Sequence, residues 1–217
     1  MHMADALVSP PVATGMAVAS LAVGAYSIFR IKKENKPENI PVMGVMGAFV
    51  FAAQMVNFTI PGTGSSGHLC GGLLLSALIG PYGGFLSMMA ILLLQCLLFA
   101  DGGLMAYGCN VWNMAFYACF FGYFCIYKPI LSKNPSKKKI LIASILGSIL
   151  SLQLGAFSVT LETLISGVTE LPFLTFLSFM QPIHLAIGFV EGLITSAVLI
   201  FVYNTRPEML NINEKKQ

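Results

Sequence analysis

Long apolar stretches, separated by short breaks rich in polar residues, glycine and proline, dominate the pattern along this chain. A helix needs about 20 mostly apolar residues to cross the hydrocarbon core of a bilayer. The apolar stretches cover roughly residues 12–30, 41–59, 69–79, 84–99, 104–127, 139–165 and 182–203. The third stretch would reach only about 16 Å as an α-helix, so we expect it to be tilted, extended or partly re-entrant.

The break at residues 80–84, with the sequence GPYGG, decides how many crossings the pattern predicts. Proline and paired glycines interrupt helices, so we interpret this break as a turn. Basic residues cluster in two loops, 30–40 and 128–139, and the positive-inside rule places both in the cytoplasm. Four crossings must separate these loops, which requires 69–79 and 84–99 to count separately. The pattern therefore predicts about seven transmembrane helices, with the N-terminus outside and the C-terminus inside.

The composition fits this interpretation. Of 217 residues, 56% are hydrophobic and 10% are charged, and the mean hydropathy is +0.80. Soluble domains usually carry about 25% charged residues. We therefore expect an all-α integral membrane protein with one polytopic domain over residues 1–217, located as a multi-pass protein in a prokaryotic cell membrane.

Charge and cysteine usage exclude other classes. The net charge is +3, and the lysines adjoin apolar stretches, which is typical of juxtamembrane loops rather than of a nucleic-acid-binding surface. The five cysteines are scattered without a CxxC pair, so we interpret them as buried thiols. No lysine or arginine precedes Arg30, which argues against a cleaved signal peptide, and we expect the N-terminus to be retained.

The predicted topology brings the N-terminal segment 1–11 and the glycine-rich loop 59–68 to the outer face. The Met1 amine, the His2 backbone nitrogen and His2 Nδ1 can close two chelate rings that share one plane. Binding through an amide nitrogen displaces its proton, and hard cations such as Mg²⁺ prefer oxygen ligands. Tetragonal nitrogen coordination is typical of Ni²⁺ or Cu²⁺, and imidazole also suits Co²⁺. These two residues therefore predict a transition-metal site.

His68 is the candidate for the fourth nitrogen, because it follows the flexible sequence GTGSSG. Taken alone, a histidine at position 2 could occur by chance. His68 taken alone could be a structural loop histidine that is hydrogen-bonded to the backbone. We place the start of the last helix near Pro182, which would leave His184 near its outer end. The residues proposed to hold an imidazole in the required tautomer are Asp5, Ser66, Asn110, Asn113 and His184.

Four segments carry a resemblance to a known family: MHMADALVSP, GTGSSGHLCGG, GCNVWNMAFY and HLAIGFVEGLIT. The chain resembles the CbiM/NikM family nearly from end to end. The resemblance implies a metal-binding S component of an energy-coupling-factor (ECF) transporter, which imports cobalt or nickel with a transmembrane T component and two cytoplasmic ATPase subunits. It also implies a square-planar site at Met1, His2 and His68. Whether a small accessory membrane subunit is needed stays open.

The chain departs from the family at its start, where many members read MHIPDG or MHIMEG. Here Met3, Ala4 and Ala6 occupy positions three, four and six, while His2 and the acid at position five remain. This difference leaves the choice between nickel and cobalt open. We expect Ni²⁺ as the transported substrate, with Co²⁺ as the next candidate, and no organic cofactor.

The chain lacks a GxxxxGK[ST] phosphate loop, so we expect it not to be an enzyme and the ATP to be hydrolysed by partner subunits. Small residues allow helices to approach closely, which makes Gly44, Ala48 and Ala52 candidates for contact with a T component. Ordinary packing within the bundle explains these residues equally well.

Two other functions remain as alternatives. Residues 64–67, GSSG, mimic the GxSG motif of intramembrane serine proteases, for which His184 would be the base. A stand-alone secondary metal transporter would need an acid within the membrane, and Glu191 is the main candidate. Gln181, His184 and Gly188 share its helical face. A buried, hydrogen-bonded acid fits the same pattern.

Overall fold

The computed structural model describes residues 1–34, 39–169 and 171–211. Part of the predicted basic loop 30–40 and the tail beyond residue 211 therefore lie outside the described residues. The principal helices are α1 Pro10–Glu34, α2 Asn39–Gln54, α3 Gly72–Phe99, α4 Tyr107–Leu131, α5 Lys137–Ser166 and α6 Phe173–Thr205. Helix α4 is wound as a π-helix over Val111–Tyr127.

Five of these helices, α1 and α3 to α6, are long and apolar enough to cross a membrane, and α2 is shorter. Large apolar side chains point outward along them: Ile165 is 72% exposed and Leu174 is 74% exposed. A surface of this kind is stable against lipid, where a helix also satisfies its own backbone hydrogen bonds. The apolar stretches of the sequence thus form the predicted helical bundle.

Helix α3 contains a sharp reversal at Gly80, where φ is 80° and ψ is 159°. A Cβ atom on Gly84 would lie 2.6 Å from Ser76 Oγ and 2.9 Å from Ser76 N. In a straight helix, two residues eight positions apart are separated by about 12 Å. The segments 72–79 and 81–99 therefore run antiparallel, as the predicted turn requires. The turn is shorter than expected, since the helix resumes at Pro81. The count of seven crossings and their orientation stay predictions.

The turn of α3 lies at the end of the bundle where α1 finishes. The Arg30 guanidinium donates to the Tyr82 hydroxyl at 3.0 Å and lies 4.6 Å from the centre of its ring. The backbone N–H of Asn211 donates to the Ala77 carbonyl at 2.8 Å. Segment 81–99 then returns to the opposite end of the bundle, which also holds the N-terminus.

The fold is helical as expected, apart from a short β-hairpin in the glycine-rich loop. Strand β1 Phe58–Ile60 pairs antiparallel with β2 Ser65–Gly67, with Thr59 opposite Ser66. The predicted apolar stretch 41–59 consequently ends too late, since α2 finishes at Gln54. Apolar content alone does not separate a helix end from a following strand.

The predicted start of the last helix is also wrong. Helix α6 begins at Phe173, and Pro182 lies inside it. The apolar residues before Pro182 continue the helix, and the loss of one backbone donor is tolerated in a packed bundle. His184 is therefore in the helix interior with no exposed surface, and not near the outer end.

Candidate metal centre

The first three residues are buried in the bundle rather than free in solution. Met1 is 1% exposed, His2 3% and Met3 0%. Met3 forms an isolated antiparallel bridge with Ser65, so the N-terminus adds to the hairpin as a partial third strand. On its other side, Met3 N–H donates to Asn110 Oδ1 at 2.7 Å, and Asn110 Nδ2 donates to Met3 O at 3.2 Å. These contacts fix the N-terminal amine inside the protein.

The Met1 amine has two partners on the hairpin side. It donates to the Ser66 carbonyl oxygen, and it lies 3.2 Å from His68 Nε2. His68 Nδ1 lies 2.7 Å from the Leu69 carbonyl oxygen, which can only accept. The Nδ1 atom therefore carries the ring proton, by assignment from the hydrogen bond. His68 Nε2 is left with a lone pair directed toward the amine.

His2 completes this group of nitrogens. Its ring stacks on that of His68, with centroids 4.6 Å apart and an angle of 27° between the planes. His2 Nδ1 lies 3.2 Å from Asp101 Oδ1, and Asn57 Nδ2 donates to Asp101 Oδ2 at 2.7 Å. A metal ion bound through Nδ1 would have to take that nitrogen from Asp101. Asp101 was missing from the predicted site, although an acid in the sequence ADGG on the predicted outer face was a usable signal.

Burial sets the protonation of the site. Desolvation lowers the pKa of the Met1 amine from 8.0 to about 5, against opposing effects of Cys70 and Asp101. Desolvation also lowers the pKa of His2, and it lowers the pKa of His68 well below the usual value. Burial raises the pKa of Asp101, but the hydrogen bond and charge of His2 outweigh it, and the pKa is lowered. At neutral pH the site therefore offers neutral nitrogens beside an ionised carboxylate.

Three of the predicted supporting residues act on the backbone instead of on an imidazole. Asn110 pairs with Met3, as described above. Asp5 Oδ1 accepts from the Ala106 N–H at 2.9 Å, which connects the N-terminal turn to the start of α4. Ser66 contributes its backbone, since its carbonyl accepts from the amine and its N–H donates to His2 O at 3.3 Å.

The other two predicted supporting residues lie deeper. Asn113 Nδ2 donates to Glu162 Oε2 at 2.7 Å and lies 3.7 Å from Met3 Sδ. His184 Nδ1 lies 2.8 Å from the Met180 carbonyl of its own helix. Its Nε2 atom is buried without a hydrogen-bond partner among the described residues. Among the residues that the structure describes, neither side chain is hydrogen-bonded to Met1, His2 or His68.

The nitrogen site is unusual because it depends on the chain terminus. Within residues 1–34, 39–169 and 171–211, no three side chains of His, Cys, Asp or Glu are grouped so that they could hold a metal ion. Two imidazoles and the Met1 amine converge instead. The prediction of this arrangement therefore rests on the chemistry of the first two residues and not on a cluster of side chains.

Comparison with known proteins agrees with these features. Residues 2–209 match the CbiM family, described as the cobalt uptake substrate-specific transmembrane region. A putative fused nickel transport protein NikMN of Archaeoglobus fulgidus is 37% identical over 97% of this chain and 68% of its own length. The cobalt transport protein CbiM of Sorangium cellulosum is 30% identical over 86% of this chain and 83% of its own length.

The fold is also that of a solved structure. The crystal structure of a truncated transition metal transporter superposes with a TM-score of 0.85 at 29% identity, covering 94% of this chain and 99% of the other. The apolar helices and this similarity over nearly the whole chain indicate the same class of protein, a membrane transporter fold. The chain is a multi-pass membrane protein that belongs to the CbiM family, whose members include cobalt and nickel transport proteins.

Proposed function

We propose that this chain is the substrate-binding membrane component of an ECF-type ABC importer, with Ni²⁺ as its substrate and Co²⁺ as the next candidate. The metal ion is held in a square plane by the Met1 amine, the His2 backbone nitrogen, His2 Nδ1 and His68 Nε2. The observation that carries the proposal is the 3.2 Å approach of the Met1 amine to His68 Nε2.

The separation of these two nitrogens fits neighbouring corners of the proposed plane. With metal–nitrogen bonds of about 2.0 Å, neighbouring donors are about 2.8 Å apart and opposite donors about 4 Å apart. The observed 3.2 Å is nearer to the first value. In this plane His68 lies opposite the His2 amide nitrogen, and the two imidazoles occupy adjacent corners. Square-planar nitrogen coordination is typical of Ni²⁺ and Cu²⁺, which favours Ni²⁺ over Co²⁺ here.

Transport requires that the outward-facing site be exposed inward by partner subunits. We expect the N-terminus outside, seven crossings and the C-terminus inside, with a T component and two ATPase subunits supplying the energy. On α2, Gly44, Ala48 and Ala52 are exposed, which favours a contact with a partner over packing within the bundle. Replacing Ala48 by Leu should weaken co-purification of the T component while leaving nickel binding unchanged. Unchanged assembly would contradict this contact.

The proposed site is tested by calorimetric titration of the purified protein with Ni²⁺ and Co²⁺. A variant with two extra glycines before Met1 keeps every side chain but moves the amine away from His2, and the buried position of Met1 leaves little room for the extension. Its affinity for Ni²⁺ should fall by about 100-fold or more, since it loses a ligand and not only a supporting contact. A variant with the two extra glycines after Gln217 is the control. Unchanged binding by the N-terminal variant would place the site elsewhere.

A further inference from the structure

The segment that follows His68 is held by an acid from a distant helix. Glu191, on α6, is 2% exposed. Its Oε2 atom accepts from the Cys70 N–H at 2.5 Å, and its Oε1 atom accepts from the Gly71 N–H at 3.1 Å. Both carboxyl oxygens are thus directed at two consecutive backbone donors, which lie two and three residues after His68.

These donors need an acceptor because they precede a helix. Gly71 directly precedes the first residue of α3, has φ of 76°, and provides no side-chain cap for that helix. The first N–H groups of a helix lack partners within it, and they form the positive end of the helix dipole. An acid inside a membrane bundle is costly unless it is paired. The Glu191 oxygens thus provide acceptors for the two N–H groups before α3, and these donors offset the cost of burying the acid.

The same segment is held from a third helix. Gln54, the last residue of α2, donates from Nε2 to the Cys70 carbonyl oxygen at 2.5 Å. The Cys70 peptide groups are therefore bonded to α6 through the N–H and to α2 through the carbonyl. A shift of either helix relative to α3 would strain the link that carries His68.

We propose that Glu191 is a positioning residue for the metal site. By holding residues 70 and 71 it keeps His68 Nε2 beside the Met1 amine. Its two hydrogen bonds also link α6 to the segment that carries His68. This inference rests on the proposed role of His68 as a metal ligand. It also assigns to Glu191 a role other than the ion relay of a secondary transporter, because both of its oxygens are engaged by backbone donors.

The test is Glu191→Gln in the full-length protein. Glutamine has one oxygen and one NH₂ group, so a donor would face a donor and at least one bond to the segment would be lost. We expect the Ni²⁺ affinity to fall about 10- to 100-fold, and the visible absorption of the bound Ni²⁺ to change. Ser196→Ala is the matched control on α6, since Ser196 is also buried and, among the described residues, its hydroxyl bonds only to Leu193 O of its own helix. It should keep the native affinity and spectrum.

His68→Ala, measured in parallel, separates the inference from the proposed function. If His68→Ala leaves Ni²⁺ affinity unchanged, the proposed ligand set is wrong. If His68→Ala abolishes tight binding while Glu191→Gln keeps the native affinity and spectrum, the positioning role is refuted. A purely structural role would lower thermal stability but leave the folded protein with native affinity and spectrum.

Hydrogen exchange on the native protein covers the case in which Glu191→Gln does not fold. The Cys70 and Gly71 amides should exchange as slowly as amides inside α3, because both are hydrogen-bonded to a buried carboxyl group. Exchange as fast as that of the exposed Asn57 amide would overturn the proposal.

Discussion

The buried N-terminus predicts how many protons leave the protein when Ni²⁺ binds. In the proposed site the metal displaces one proton from the His2 amide nitrogen. It also displaces any proton carried by the Met1 amine or by either imidazole, since metal ligands must be deprotonated. The perturbation is therefore metal addition at two pH values, and the measured quantity is the number of protons released for each ion bound.

The structure sets the magnitude. The pKa of the Met1 amine is lowered to about 5, so about 1% of the amine is protonated at pH 7. The lowered pKa values of His2 and His68 keep both rings neutral at that pH. We expect release of about one proton at pH 7, from the amide alone. An exposed amine with the usual pKa of 8.0 would raise this to about 1.9.

The sign of the pH dependence follows from the same pKa. As the pH falls through about 5 the amine becomes protonated, so protons compete with the metal ion and affinity declines more steeply. At pH 5 the amine should add about half a proton to the release. The depression of the amine pKa thus extends tight binding to lower pH than an exposed terminus would allow.

The assay is calorimetry in several non-chelating buffers that differ in ionisation enthalpy. The slope of the observed binding enthalpy against the buffer ionisation enthalpy gives the proton count. Release of about two protons at pH 7 would refute the neutral, buried amine. Release close to zero would refute coordination through the amide nitrogen and with it the planar chelate.

Two further predictions concern the support of the site. Gly103→Ala should destabilise the protein by about 1–3 kcal/mol, because the new Cβ would fall on the Asp5 carboxylate and backbone. Thermal unfolding in detergent measures this effect against Gly15→Ala, where the new Cβ meets open space, and equal melting temperatures would contradict it. Asp101→Asn removes the negative charge beside His2, so Ni²⁺ affinity should fall about 10-fold by calorimetric titration. An unchanged affinity would mean that Asp101 does not act on the metal.

The membrane class and the position of most helices could be predicted because they depend on local properties. A long apolar stretch identifies a membrane helix wherever it packs, and Pro81 with its neighbouring glycines marks the reversal in α3. Helix ends were less predictable. Pro182 suggested a boundary that packing overrides. The strands β1 and β2 depend on pairing with each other and with Met3, which the local sequence does not show.

Part of the candidate site is local in the same sense. The Met1 amine and the two His2 nitrogens form a chelating set in any chain that begins with these residues. The sequence thus determined a membrane protein, and it predicts a nitrogen chelate at its start. Only the tertiary structure decided that His68 Nε2 meets the amine, that Asp101 faces His2 and that Glu191 holds the segment after His68. These contacts join residues 67 to 121 positions apart, and no local periodicity encodes which distant groups the packed helices bring together.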